Sequence, residues 1–329
     1  MPVNRHGKEK FPAVVVIGGG TGLSVMLRGL KEKPLDITAI VTVADDGGSS
    51  GILRSELHIP PPGDIRNVLI ALADVEPLLS QVLQYRFTSG TGLAGHSLGN
   101  LILAAMKDIS GDFLTGIREL SRVLAVRGRV LPSTEHSITL RAEMEDGSQV
   151  EGESNIPKAG GRIRRVFIEP AQVAPLGEAI EAIRNADAVL VGPGSLYTSI
   201  MPNLLVPGIA EAIAASRAVK IFVCNVMTQP GETDGYTVSD HLLAIERHVN
   251  ARLFDYVIVN NGEIPLPVQE MYAEKGARPV HPDLDEVVRQ GYRVIADELV
   301  LFRTYLRHDT VKLSGHIYKL VQDWKEKSR

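Results

Sequence analysis

Apolar runs of strand length alternate along most of the chain with glycine-bearing loops and helical spacings, the pattern of parallel βαβ units. Residues 13–17 form a β-branched run that reads as a buried strand. The loop from Gly18 to Gly22 follows, then a helix carried by Leu23, Leu27 and Leu30 and ended by Pro34. A second strand is predicted over 37–43, closing in Asp45, Asp46, Gly47, Gly48, Ser49 and Ser50. Between Pro60 and about Val126 the apolar spacings of three and four predict three or four helices and no strand. From Val130 the period changes to two. Residues 137–143 and 149–153 alternate about the turn signal Asp146-Gly147, and 162–168 adds a third strand, so a small antiparallel insertion is expected at about 130–169. Parallel strands then resume at 188–191, 219–223 and 256–259, and a last helix is predicted over 310–324 with Asp309 as its N-cap. The reading is an α/β chain: a Rossmann-like parallel sheet with helices on both faces, a helical segment at 60–126 and the β insertion. Its domain plan is a flexible N-terminus, 1–11, and one domain, 12–329.

Composition narrows this picture by exclusion. With 329 residues, 44% hydrophobic and 22% charged, the chain can bury a core without disulfides, and its 31 Gly and 19 Pro fall short of fibrous or disordered composition. The formal net charge of -4 gives no electrostatic case for nucleic acid or an anionic membrane. One cysteine, Cys224, cannot form an internal disulfide or a Cys-rich zinc site. No run approaches the roughly 18 apolar residues of a membrane helix, and the N-terminus lacks a signal-peptide core. A cytoplasmic protein with no membrane span is expected.

Candidate chemistry concentrates at predicted strand ends, where open parallel sheets bind ligands. Gly18-Gly19-Gly20-Thr21-Gly22 places glycines between a strand and a helix N-terminus, so the backbone and its free N–H groups can approach a phosphate. Leu23 stands where the dinucleotide fingerprint has its last glycine, which weakens a plain NAD reading. Asp45 and Asp46 can accept from ribose hydroxyls or hold Mg²⁺, or merely form an Asx-turn. Asp64 suits an N-cap, with Arg66 and Asn67 available for a phosphate or carboxylate one turn in. His96 and Asn100 share a helical face at the start of another helix. Gly192-Pro193-Gly194-Ser195-Leu196-Tyr197-Thr198 repeats the physics of the first loop after strand 188–191. Asn225 opens a polar loop after the next strand, in which Met227, Thr228, Gln229 and Glu232 also stand. Arg307 precedes the last helix, where it suits a phosphate, and Thr310 at that helix start is a candidate phosphorylation site. No zinc-protease, nucleophile-elbow or Walker pattern occurs.

Taken together, IGGGTGL (17–23), TVADDGGSSG (42–51), PPPGDIRN (60–67), GHSLGN (95–100), GPGSLYTS (192–199) and CNVMTQPGETDGYTVSD (224–240) resemble the YvcK-type gluconeogenesis factors of the broader CofD-like family. The resemblance spans almost the whole chain. It implies a Rossmann-like core in which Gly18 to Gly22, Asp45, Asp46, Gly192 to Thr198 and Asn225 match nucleotide-binding loops, and Arg307 matches an arginine linked to UDP-sugar binding. It implies UDP-N-acetylglucosamine-like ligands and a role in cell shape and envelope homeostasis on gluconeogenic carbon sources. CofD members instead transfer a phospho-lactyl group from a guanine dinucleotide with Mg²⁺. Three readings therefore stand: a nucleotide-sugar-binding regulator, an Mg²⁺-dependent transferase with Asp45 or Asp46 as catalytic candidates, and, more weakly, an NAD-binding protein. A homo-oligomer and a regulatory protein partner or kinase are expected alongside the first.

Overall fold

The computed structural model describes residues 10–74, 77–302 and 304–327. Most of the flexible segment expected at 1–11 lies outside these residues. Its first half contains β1 (Ala13–Gly18), α1 (Gly20–Leu30), β2 (Asp36–Val41), α2 (Gly48–Leu57), α3 (Gly63–Leu72), α4 (Pro77–Gln84), α5 (Leu98–Ser110), α6 (Phe113–Val123) and β3 (Arg129–Pro132). The antiparallel insertion follows as β4 (Thr139–Met144), β5 (Gln149–Glu151) and β6 (Ile163–Glu169). The second half contains α7 (Gly177–Arg184), β7 (Ala188–Val191), α8 (Met201–Leu204), α9 (Ile209–Ala215), β8 (Val219–Val223), α10 (Val238–Val249), β9 (Tyr256–Asn260), α11 (Leu266–Ala273), α12 (Leu284–Arg289), β10 (Arg293–Asp297), β11 (Val300–Phe302), β12 (Leu306–His308) and α13 (Thr310–Lys327).

Seven described strands pair in the order β10-β9-β8-β7-β1-β2-β3, every pair parallel. The chain leaves β1 toward β2 and β3, returns to the other side of β1 as β7, and continues outward to β10. The sheet order therefore reverses between β1 and β7, which puts the ligand crevice beyond their carboxyl ends. Strands β1, β7 and β8 are almost wholly buried, as expected of near-continuous apolar runs covered on both faces. The main apolar core runs from Val14 to Val321, and a small second cluster joins Ile264, Val268 and Leu306. The insertion forms the sheet β5-β4-β6.

Two edge strands, β3 and β10, and the helix α2 were not anticipated. β3 is four residues ending in proline, and β10 is only half-buried, so neither carries the apolar run that marks the central strands. The glycines and serines that open α2 read locally as a loop, yet Leu53 is buried and seats the helix on the core. Among the described residues no single helix is long and apolar enough to cross a membrane.

Candidate functional site

The two glycine-rich loops meet at the β1/β7 reversal. Gly192 donates its N–H to the Ile17 carbonyl at 3.0 Å, bringing the end of β7 beside the end of β1. A Cβ on Gly22 would stand 2.9 Å from the Pro193 carbonyl oxygen, and one on Gly194 would stand 3.1 Å from that of Gly19. Glycine at these positions is what allows the loops to touch. Gly20 sits at φ +68°, a left-handed conformation, as the first residue of α1.

A cleft of about 440 Å³ opens over this junction. Gly20, Thr21 and Gly22 form one side, Pro193, Gly194 and Ser195 another, and residues 225–230 with Tyr272, Lys275 and Arg307 close the rest. No aspartate or glutamate lines it; Lys275 and Arg307 do, and neither makes an ion pair among the described residues. Arg307 lies over the Tyr305 ring, its guanidinium 5.5 Å from the centroid, and its charge adds to burial in lowering the pKa of Arg28. With the first-turn N–H groups of α1, which have no acceptors within their own helix, the cleft presents donors and positive charge at one place. The β11–β12 hairpin turns Leu306, Arg307 and His308 into it. His308 is buried, and desolvation pushes its pKa down to about 4, so it is neutral at pH 7.

Asn225 has a defined local task. Its side-chain oxygen accepts from the Gly194 N–H at 3.0 Å and its amide donates to the Gly194 carbonyl at 2.7 Å, fixing the loop that forms one wall. Leu196, Tyr197 and Thr198 are buried behind that loop in a π-helical turn and do not line the cleft. Thr198 Oγ1 donates to Glu232 at 3.0 Å, the Tyr197 N–H donates to the same carboxylate at 3.2 Å, and the Tyr197 and Tyr236 hydroxyls bond each other. These residues brace the cleft from outside it. Gly18 and Gly19 likewise support it, as the end of β1 and the N-cap of α1.

Of the remaining candidates, Asp45, Asp64, Arg66, Asn67 and Asn100 line a second, smaller chamber of about 280 Å³, while Asp46 and His96 lie outside its lining. Its wall includes Asp45, Ser49, Asp64, Arg66, Arg86 and Asn100. Asp64 does not cap its own helix, whose N-cap is Pro62. Its carboxylate lies instead against the start of α1, where a Cβ on Gly19 would stand 2.5 Å from Oδ2. Burial, with the nearby Asp45 charge, pushes Asp64 up to about 6. Arg66 donates to Ser97 Oγ, Asn100 Oδ1 and Asn67 Oδ1 at 2.5, 2.9 and 2.8 Å. Ser49 joins the same network, 3.1 Å from His96 Nδ1 and 3.2 Å from Asn100 Nδ2. Asp45 closes an Asx-turn onto the Gly47 N–H, and Asp46 accepts from the Ser154 N–H at 2.8 Å, which ties the β insertion to the sheet. Beside them Glu153 is pushed up to about 8 by burial and by Asp45, Asp64, Asp46 and Glu232. No group of three His, Cys, Asp or Glu side chains among the described residues is arranged to hold a metal ion.

A family model described as 2-phospho-L-lactate transferase CofD matches residues 14–300. The chain belongs to the CofD family. Within it, the chain is 55% identical over 313 residues to the gluconeogenesis factor of Bacillus subtilis, covering 95% of this chain and 99% of that one. It is 59% identical over 305 residues to the gluconeogenesis factor of Halalkalibacterium halodurans, covering 92% and 95%. A Bacillus halodurans crystal structure, described as a member of the UPF0052 family, superposes with TM-score 0.92 at 58% identity, covering 94% of this chain and all of that one. The chain thus belongs with the YvcK-type gluconeogenesis factors of the CofD family. Thr310 opens α13 behind Asp309, whose carboxylate accepts from the Val311 and Lys312 N–H groups, and its carbonyl packs on Gly29 of α1.

The cleft also draws on residues that motif reading passed over. Tyr272 and Lys275 come from a segment with no strand-end signal. In the chamber, Arg86 belongs to no motif at all.

Proposed function

We propose that this CofD-family protein is a regulatory factor that binds a nucleotide sugar of the UDP-N-acetylglucosamine type in the cleft between the two glycine-rich loops. The observation that carries the reading is the charge of the cleft: two cations, a helix N-terminus and no carboxylate, at the point where the sheet order reverses. Such a surface suits a diphosphate. The tie between Asn225 and Gly194 preorganises it, which lowers the cost of binding. As a cytoplasmic factor acting during growth on gluconeogenic carbon sources, it would report ligand supply to a protein partner and support cell shape and envelope homeostasis. Phosphorylation by a kinase at Thr310, on the helix that abuts α1, would act close to the same cleft, and a homo-oligomer belongs to the same proposal.

A transferase reading rests on Asp45 and Asp64, whose carboxylates influence each other beside the first loop. Mg²⁺ in this position would be shared between Asp45 and ligand phosphates, the usual arrangement for an ion that keeps few protein ligands. The hydrogen bond from Ser154 engages Asp46 otherwise.

Thermal unfolding with UDP-N-acetylglucosamine, GDP and NAD, each with and without Mg²⁺, separates these readings, because a ligand that binds only the folded state raises the midpoint. The expected outcome is a saturable rise with UDP-N-acetylglucosamine that persists without Mg²⁺ and is lost in Arg307→Ala. A rise with GDP alone, dependent on Mg²⁺, would replace the regulator by the transferase.

A further inference from the structure

Helix α4 is covered on one side only. Of its eight residues Leu83 alone is buried, while Leu78 is 69% exposed, Leu79 36% and Val82 38%. Tyr85, directly after the helix, is 51% exposed, so Leu78, Val82 and Tyr85 form an outward stripe at spacings of four and three. The Tyr85 ring meets Phe87 edge-on at 5.2 Å, and Leu93, in the loop that returns to α5, adds a further exposed side chain. Single exposed leucines are ordinary, but a helix that is apolar on its outer side as well as its inner one is built to be covered. Charge is scarce on this face. Across residues 77–95 the sole charged side chain is Arg86, one in nineteen, against 22% charged for the whole chain. Arg86 is engaged elsewhere: its guanidinium donates to the Gly95 carbonyl and lines the second chamber. Loss of charge around exposed aromatic and aliphatic side chains marks the centre of a protein interface rather than a solvated surface.

The same composition bears on what covers the helix. In a two-fold dimer each residue near the axis faces its own copy, so a charge there repels itself, whereas an amide, with donor and acceptor together, can pair with itself. The exposed polar side chains of α4 are Gln81 and Gln84, both amides, and the helix carries no charge. A helix that lies on a membrane surface would carry lysine or arginine on its polar side, and α4 has neither. Size agrees with a second copy. The exposed parts of Leu78, Leu79, Val82, Tyr85 and Leu93 come to roughly 500 Å², close to the apolar share of the about 800 Å² per partner that a stable interface buries.

We propose that the outer face of α4, centred on Val82, is the surface through which two copies of this chain pair about a two-fold axis. The proposal rests on the homo-oligomer reading above and gives it a surface; it is independent of what occupies the cleft. Ser97 Oγ donates to the Leu83 carbonyl at 3.5 Å and Arg86 bridges to Ser97, so pairing through α4 also steadies the hairpin that carries Arg86 to the chamber. Sedimentation equilibrium of the full chain, from submicromolar to hundred-micromolar concentration, tests it. The expected result is a dimer whose dissociation constant changes little with salt, because the contact is apolar. Val82→Glu and Leu78→Glu, both at exposed positions, should each weaken it about a hundredfold or more, since like charges would meet across the axis. Leu301→Glu, at an exposed apolar residue of the β11–β12 hairpin, should leave the dimer intact. Far-ultraviolet circular dichroism of the variants should match that of the wild type, and if Val82→Glu does not fold, Leu78→Glu carries the test. A chain that stays monomeric over the whole range overturns the proposal and the homo-oligomer with it. A dimer that survives the α4 variants, or one that Leu301→Glu dissociates as readily, overturns the proposed surface and leaves the homo-oligomer standing. The nucleotide reading fails or stands separately, by thermal unfolding with UDP-N-acetylglucosamine.

Discussion

Neighbouring glycines of the first loop are required for different physical reasons. Gly19 has extended backbone that any residue can adopt, but a Cβ there would collide with Asp64 and with the Thr42 methyl at 2.8 Å. Gly20 has room, its nearest neighbour being Ser199 Oγ at 3.5 Å, but its φ of +68° is disfavoured for any side chain and most for a β-branched one. Gly20→Val should therefore cost on the order of 1–3 kcal/mol through backbone strain and shift the first turn of α1 out of register with a phosphate. The expected result is a folded protein with a midpoint lowered by a few degrees and nucleotide affinity reduced more than tenfold, read by circular dichroism and calorimetry. Unchanged affinity would make the loop a turn and nothing more. That glycines were needed here was visible in the chain. Which neighbour each one faces was not, because Asp64 and Ser199 lie far away in sequence.

At the scale of elements, the cleft is a set of loops held by ties from outside it. Asn225→Ala removes both hydrogen bonds to Gly194 and leaves a partly buried N–H and carbonyl unsatisfied, at a cost of about 1–3 kcal/mol. Nucleotide affinity should fall with stability, and urea unfolding beside ligand titration checks both. Full affinity in this variant would show that the loop holds its shape without the tie. The alternation of strands and helices made the sheet, the helical segment and the insertion legible from their apolar periods. The edges escaped because β3 and β10 are short or half-exposed, so packing decides them rather than pattern. The division of the candidate residues between a cleft and a chamber was also invisible. Asp64 reaches the start of α1, and Asp46 reaches Ser154, through contacts that no local spacing encodes.

For the molecule as a whole, the buried titratable groups pull stability in opposite directions with pH. Asp64, Glu232 and Glu153 are raised to about 6, 7 and 8, chiefly by burial. Over the window from their unfolded values near 4 up to these values the folded chain holds more protons than the unfolded one, so stability falls as pH rises. His308, lowered to about 4, does the reverse: its contribution is complete above about 6.5 and is lost as pH falls toward 4. The melting midpoint should thus decline from pH 6 to pH 8.5. Glu153→Gln should flatten that decline and raise the midpoint at pH 8.5 by a few degrees, as scanning calorimetry of the two proteins would show. A wild-type midpoint that does not fall over this range would place these carboxyls in a more solvated setting than the structure gives them.

The reversal of strand order also fixes a timetable. The Gly18–Gly22 loop is synthesised well before its facing wall, which begins at Gly192, and the β1–β7 edge is sealed by contacts such as Ala13 N–H to Asp187, 174 positions apart. Closing so long a loop is slow compared with forming the adjacent β1–α1–β2 unit. During translation the nascent chain carries half a binding site that no ligand can bridge until β7 has emerged and inserted beside β1. Ligand can then stabilise the finished sheet, but it cannot guide the early steps of its assembly.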